Sequence, residues 1–326
     1  MKQSLLVAAA LTLTAAATTF AQTTSCPGGV PTPGTAAENT RQQAADLFQF
    51  IAPQLAQAVA GGSATLGQNS TLGGLGHFSV GAHGTLVAGS IPDVSRFPTC
   101  YTGRQNATPL PTSKSAVPMA GADAAIGLFK GFPLALTNVG GVDLLLSAQY
   151  LPEKSFRDVR VATPDGSLQI GYGARLGLLS ESIVVPGVSL SYIKRDLPRV
   201  DVSAVRGLDS LLITGLKVKT SSWRLVASKS LLVLGVAAGV GQDRFDSRVD
   251  RIAARANGFA STPITESQKL TRTNYFANAS FSLLVAKAVL EVGQSTGGTV
   301  TTFNTFDGAQ PAGTRTYGSF GVRFGL

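Results

Sequence analysis

Over most of its length the chain alternates apolar and polar residues one for one. In SLQIGYGARLGLLS, residues 167–180, Leu168, Ile170, Tyr172, Ala174, Leu176 and Leu178 share one face of an extended strand. Gln169, Gly171, Gly173, Arg175 and Gly177 share the other. The same split recurs in GHFSVGAHGTLVAG, where Phe78, Val80, Ala82 and Leu86 oppose His77, Ser79, His83 and Thr85. It recurs in VDLLLSAQY, and again from Asn274 to Leu283. Each strand so defined has a greasy face and a face of small or polar residues. One segment departs from this period: between Ala36 and Ala60, Leu47, Phe48, Ile51, Leu55 and Val59 recur at spacings of three and four, which predicts an amphipathic helix bent near Pro53. The Gly- and Ser-rich stretch Gly61–Gly76 that follows reads as a loop.

Strands are expected at roughly 77–90, 122–130, 139–151, 167–179, 186–196, 210–227, 231–243, 270–284, 288–297 and 314–326. Their connections alternate long and short. The long ones are Ile91–Gly121, Pro152–Gly166, Leu197–Asp209, Arg244–Lys269 and Gly298–Gly313. Strands of about ten residues match the ~9 to 11 that a tilted strand needs to cross a bilayer and exceed the ~5 to 6 usual in soluble sheets. Alternating loop lengths are the habit of an outer-membrane barrel. The expectation is an all-β chain, an antiparallel transmembrane β-barrel of about 10 strands, with 8–14 as bounds, and an N-terminal helical plug.

Composition narrows the alternatives. Charged residues are 14 % of the 326 and mean hydropathy is +0.21, which excludes a disordered chain. After Thr18 no apolar run approaches the ~20 residues of a membrane helix. Lys2, the apolar run Leu5–Ala17 and Thr19-Phe20-Ala21 form a signal peptide with cleavage expected after Ala21, and Thr23 stands where a lipobox needs Leu. The organisation is therefore a signal peptide at 1–21, a helical and Gly-rich plug segment at 22–75, and a barrel at 76–326. Cys26 and Cys100 fit one disulfide in an oxidising compartment, or two free thiols.

The chain ends TYGSFGVRFGL, with Gly318, Phe320, Val322, Phe324 and Leu326 on one face, and Phe78, Tyr150, Tyr192, Trp223, Tyr275 and Phe324 fall near strand ends as an aromatic girdle would. In this the sequence resembles bacterial outer-membrane β-barrel proteins, whose final strand alternates and finishes on an aromatic residue; here the terminal residue is Leu326. The resemblance implies an outer-membrane location, with membrane lipid, lipopolysaccharide and the barrel assembly machinery as partners. A helix and a Gly-rich segment ahead of the first strand look like the N-terminal hatch of the long-chain fatty acid transporter family, although that hatch's NPA motif is absent.

If greasy faces meet lipid, the opposite faces line the lumen. His77, His83, Asp143, Gln149, Arg175, Asn274, Asn278, Glu291, Arg315 and Arg323 are the polar lumen-facing candidates, with glycines between them leaving room for the helix or one slender ligand. The plug helix would set Leu47, Ile51, Leu55 and Val59 against interior residues such as Leu179, Val233, Ala237 and Phe276. This favours passage or binding of a small hydrophobic solute; the alternative is a closed narrow barrel with a structural or surface-interaction role. His77 and His83 lie roughly 20 Å apart along a strand and cannot share a metal. No motif sets a third group beside Ser79 and His77, so no enzyme, metal or cofactor is expected. Arg244, Arg248, Arg251 and Arg255 recur at helical spacing among Asp243, Asp246 and Asp250. The mixed signs argue against nucleic acid, despite a net charge of +9, and for a solvated loop touching lipopolysaccharide.

Overall fold

The computed structural model describes residues 32–62, 70–93, 107–156 and 159–325. Ten antiparallel strands close the wall. In spatial order these are β1 (Phe78–Pro92), β3 (Thr112–Phe129), β6 (Gly141–Tyr150), β9 (Leu168–Leu179), β10 (Gly187–Asp196), β12 (Asp209–Leu231), β13 (Leu234–Ala256), β15 (Ile264–Leu283), β16 (Ala286–Thr296) and β18 (Arg315–Gly325). β18 pairs back onto β1 from Ser79↔Gly325 to Val87↔Tyr317, so the sheet has no free edge in the wall. The remaining strands are short: β2 (Pro109–Leu110), β4 (Phe132–Leu134), β5 (Thr137–Val139), β7 (Lys154–Phe156), β8 (Val159–Ala162), β11 (Val200–Arg206), β14 (Phe259–Ala260) and β17 (Thr305–Phe306).

One rim carries the short turns, such as Leu232-Val233 between β12 and β13 and Leu284-Val285 between β15 and β16. These turns face the periplasm in an outer-membrane barrel, so the long connections mark the external rim. Val233 is exposed in its turn and is not part of the interior wall expected from the sequence. Within the wall the period-two pattern holds: His83, Thr85 and Val87 of β1 are buried while Val80 and Leu86 point outward, half exposed. Ile170, Val236, Leu290 and Phe320 continue that greasy exterior on other strands.

Three wall strands continue well beyond the membrane belt. β12 and β13 pair from Leu231↔Leu234 out to Ser210↔Arg255, β15 accompanies them, and β11, β8 and β7 widen this extension on one side. The segment 244–269, expected as a loop, is therefore mostly strand. Arg244, Arg248, Arg251 and Arg255 all lie exposed on the outer face of β13. Their helix-like spacing comes from a register shift between Val249 and Ile252, which inserts one residue into the pleat and turns the outward step of two after Arg248 into a step of three.

The helix α1 (Pro33–Ala60) enters the cylinder from outside. It has 28 residues, a length of about 42 Å, with Thr32 as N-cap and Pro33 in its first turn. Near its start Glu38 accepts a hydrogen bond from the Thr262 amide at the external tip (2.7 Å); its last carbonyl, at Ala60, lies inside the lumen. Pro53 does not interrupt it. The proline lacks the N–H that would bond Gln49 four residues back, and Gln268 of β15 supplies Nε2–H to that carbonyl instead, at 2.9 Å. Gln54 forms a reciprocal pair with the backbone of Ser90 on β1 (2.9 and 3.1 Å). Gly89 faces this amide, and any Cβ there would collide with it. Other wall glycines make room for bulky neighbours rather than for an open pore: Gly293 underlies the Tyr317 ring and Gly239 the Phe276 ring.

Residues 70–77 return across the periplasmic mouth as a strap leading into β1. The expected signal peptide at 1–21, Cys26, Cys100 and Leu326 lie outside the described residues, as do residues 63–69 of the Gly-rich stretch. Because α1 points its N-terminus outward, an epitope tag inserted directly before Thr32 is expected to bind antibody on intact cells, whereas a tag after the last strand binds only after permeabilisation. Equal labelling of both would contradict the orientation.

Candidate functional site

Above the membrane belt the wall reverses its polarity. Trp223, Leu225 and Val236 face outward lower down, but Ile213, Val249, Ile252 and Ala254 on the extensions of the same two strands are buried toward α1. Outside the hydrocarbon the outer face meets water, and the apolar side chains must find shelter within. The shelter is incomplete. Ala44, Leu47, Phe48, Ile51, Ala52 and Leu55 of α1 face Val159, Val202, Ala204, Leu211, Ile213, Leu216 and Val249 across a narrow, partly open cavity of about 50 Å³. No polar or charged side chain lines it. Leu47, Ile51 and Leu55, three of the four residues of the expected helix stripe, line this cavity. The fourth, Val59, is buried deeper, among Val87, Val117, Met119, Phe276 and Tyr317.

A lid of external connections anchors this part of the helix. Phe50 stacks on Phe306 with ring centroids 4.1 Å apart, and Leu110 completes the cluster. Asp46 accepts hydrogen bonds from the amides of Phe303 and Asn304 (2.9 and 3.1 Å) and from the Asn304 side chain (2.5 Å). Burial pushes its carboxyl above the ordinary aspartate value; these hydrogen bonds act in the opposite sense.

Beneath the cavity the lumen is closed by buried charge. Arg224 donates to the Ala60 carbonyl at 2.8 Å and to Glu291 at 3.2 Å, and its guanidinium lies 4.9 Å from the Phe276 ring centroid. Arg195 reaches the same carbonyl and Asp123, both at 3.4 Å, while His83 Nδ1 lies 2.9 Å from Asp123. Two cations thus meet the negative end of the helix dipole. Closer to the periplasm Arg175 grips Asp143 (2.6 and 2.9 Å), and the Leu72 amide of the strap donates to both Asp143 oxygens, at 3.2 and 3.1 Å. Asn274 donates to Asp243 at 2.7 Å.

Of the lumen candidates, His83, Asp143, Gln149, Arg175, Asn274, Asn278, Glu291 and Arg323 are buried inside the wall. Arg315 is half-buried at the external end of β18 and donates to the Gln310 carbonyl. His77 is not in the lumen: it sits exposed just ahead of β1, as the last residue of the strap at the periplasmic mouth. Asp123, Arg195, Arg224 and Asp243 were missed. Each falls on the inward parity of its strand, a signal present in the sequence once strand ends are known.

No family model and no curated protein matches the chain. Among solved structures it is similar to the translocator domain of autotransporter NalP from Neisseria meningitidis, at 11 % identity over 90 % of this chain and 99 % of that one, TM-score 0.39. It is also similar to the outer membrane protease OmpT from Escherichia coli (9 % identity, 77 % and 96 % covered, TM-score 0.39). A third is the toluene transporter TbuX of Ralstonia pickettii (12 % identity, 83 % and 97 % covered, TM-score 0.29). In this chain a closed antiparallel wall carries an apolar exterior, with short turns at one rim and a buried ionic interior. The chain is an outer-membrane β-barrel.

In this barrel, truncating a buried partner strands the other charge. Arg224→Ala leaves Glu291 without its guanidinium and removes the stronger donor to Ala60. The expected cost is about 3 to 5 kcal/mol, read as a lower temperature for loss of the heat-shifted gel band. Planar-bilayer conductance should rise at the same time. An unchanged melting temperature would count against the closure described here.

Proposed function

We propose that the barrel binds a small hydrophobic solute from the external side, between α1 and the extended strands β8, β11, β12 and β13, as the first stage of passage across the outer membrane. One observation carries this reading: thirteen residues enclose the cavity and none contributes a charged or hydrogen-bonding side chain. Such a lining rewards apolar surface and penalises an unpaired polar group. A hydrocarbon-like molecule or an acyl chain fits that chemistry. The role read here is binding and passage rather than catalysis.

Onward movement requires a change at the helix. Leu55 is five residues from Ala60, about 7.5 Å along the axis, so a solute resting on Leu55 and Ile51 lies within reach of the arginines that hold the helix end. A shift of α1 would loosen both. The filled lumen favours a second reading, a closed barrel whose long connections work at the cell surface, and a measurement separates the two.

Purified barrel in detergent is expected to enhance the fluorescence of an apolar naphthylamine dye or a fluorescent fatty acid. Ile51→Asn, which sets an amide in the cavity, should weaken binding about tenfold, and Ala204→Trp, which fills it, should weaken binding as well. Cells carrying the barrel should take up the fatty acid faster than cells without it. Wild-type protein that neither binds the dye nor speeds uptake would leave the surface-interaction reading in place.

A further inference from the structure

The outer wall just above the membrane belt carries a concentration of cations on one arc. Lys194 of β10, Lys219 of β12, Arg244 of β13 and Lys269 of β15 all point outward, together with Asp196 and Asp246. Register fixes their arrangement: Asp196, Lys219, Asp246 and Lys269 are successive partners across four strands. Lys194, Ser221, Arg244 and Thr271 form the adjacent row. The wall is recessed here, and these residues line a depression of about 600 Å³ together with Ile170 and Tyr172.

Four cations stand against two carboxylates, and the carboxylates do not neutralise them. Among the described residues the one ion pair inside the recess is Lys269 with Asp246, at 3.9 Å between two well-exposed side chains, a contact of little strength. Asp196 accepts the Thr220 amide and also interacts electrostatically with Lys219 and Lys194, so the four cations still outnumber the carboxylates by two. Immediately toward the membrane lie Tyr172, Tyr192 and Trp223, all exposed: Tyr172 is the register partner of Lys194, and Tyr192 of Trp223. The opposite arc lacks this chemistry. At the external ends of β16, β18 and β1 the outward residues are Gln294, Thr296, Thr316 and Ala88.

We infer that this recess holds the phosphorylated headgroup of an outer-leaflet glycolipid. Its phosphates would lie against Lys194, Lys219, Arg244 and Lys269, and its acyl chains would run down the greasy wall below Tyr172 and Trp223. The aromatic side chains fix the depth at which hydrocarbon gives way to headgroup, and the cations sit one step above it, where a phosphate must be. Ser221 and Thr271 add hydroxyl donors between the charges. A phosphate of charge near −2 accepts several such bonds, and each basic residue near an anionic surface is worth about 1 kcal/mol. Bridging four strands, a bound glycolipid would also brace the wall where β12, β13 and β15 leave the membrane. The inference is independent of the solute cavity, which lies on the inner side of these strands.

Native mass spectrometry of the full-length barrel in detergent, titrated with bisphosphorylated lipid A, tests it. Wild-type protein is expected to retain one lipid A. The quadruple variant Lys194→Gln/Lys219→Gln/Arg244→Gln/Lys269→Gln should bind at least about tenfold more weakly, and dephosphorylated lipid A should bind both proteins equally poorly. A heat-shifted gel band establishes that the variant is folded; if it is not, the milder Lys219→Gln/Arg244→Gln pair is used, with a smaller loss expected. Lys114→Gln, outside the recess, should leave binding unchanged. Equal retention by wild type and the folded variant overturns the inference, as does equal retention of the dephosphorylated lipid or of phosphatidylglycerol by the wild-type protein.

Discussion

A single sheet passing through two solvents is the constraint from which the rest of this structure follows. A pleated strand cannot exchange its faces, so when the medium outside the wall changes from acyl chains to water, the residue types must exchange instead. β13 records the change along its own length. Val236 and Val240 point out, Gln242 stands at the crossing, and Phe245, Val249 and Ile252 point in. The lumen is consequently polar at membrane height and apolar above it, and α1 meets both environments. Its outer turns lie against Val202, Ile213 and Val249, while its last carbonyl reaches arginines.

Those arginines explain why a helix end is tolerated so deep inside. The final carbonyls of any helix lack partners, and burying them among apolar side chains would cost several kcal/mol. Arg195 and Arg224 satisfy the Ala60 carbonyl, and each is in turn held by a carboxylate on another strand, Asp123 of β3 and Glu291 of β16. Opposite sides of the cylinder are thereby tied through the helix end. Desolvating these charges is itself expensive, so the lattice is better understood as specifying where the helix stops than as a large net source of stability.

Much of this was legible in the sequence, for a physical reason. Inside the membrane belt one face must be greasy over the whole crossing, and the two-residue period is therefore long and clean; it located all ten wall strands. Beyond the belt the greasy face turns inward and the outer face fills with charge, which degrades the pattern that marked the strands lower down. The extensions of β13 and β15 consequently read as loops. The bulge near Val249 compounded the error, since a single inserted residue gave four strand arginines a helical rhythm. The cavity was hidden for the same reason: Val159, Val202 and Ala204 lie in stretches whose strand character depends on packing against α1. Wall glycines suggested a hollow interior, but side-chain neighbours such as Tyr317 occupy the space they leave, and that is a matter of three-dimensional proximity.

The direction of α1 has a consequence for how such a molecule is assembled. With both ends of the strand array on the periplasmic side, a helix whose start faces outward gives the chain an eleventh traverse, an odd number. The outer end of α1, at Pro33, must therefore be carried to the cell exterior through the ring, or be embraced while the seam between β1 and β18 is still unsealed. Once that seam zips, the occupant is enclosed by a continuous hydrogen-bonded hoop, like a thread caught in a closing clasp. By the second route, insertion into the bilayer and capture of the helix become one event rather than two.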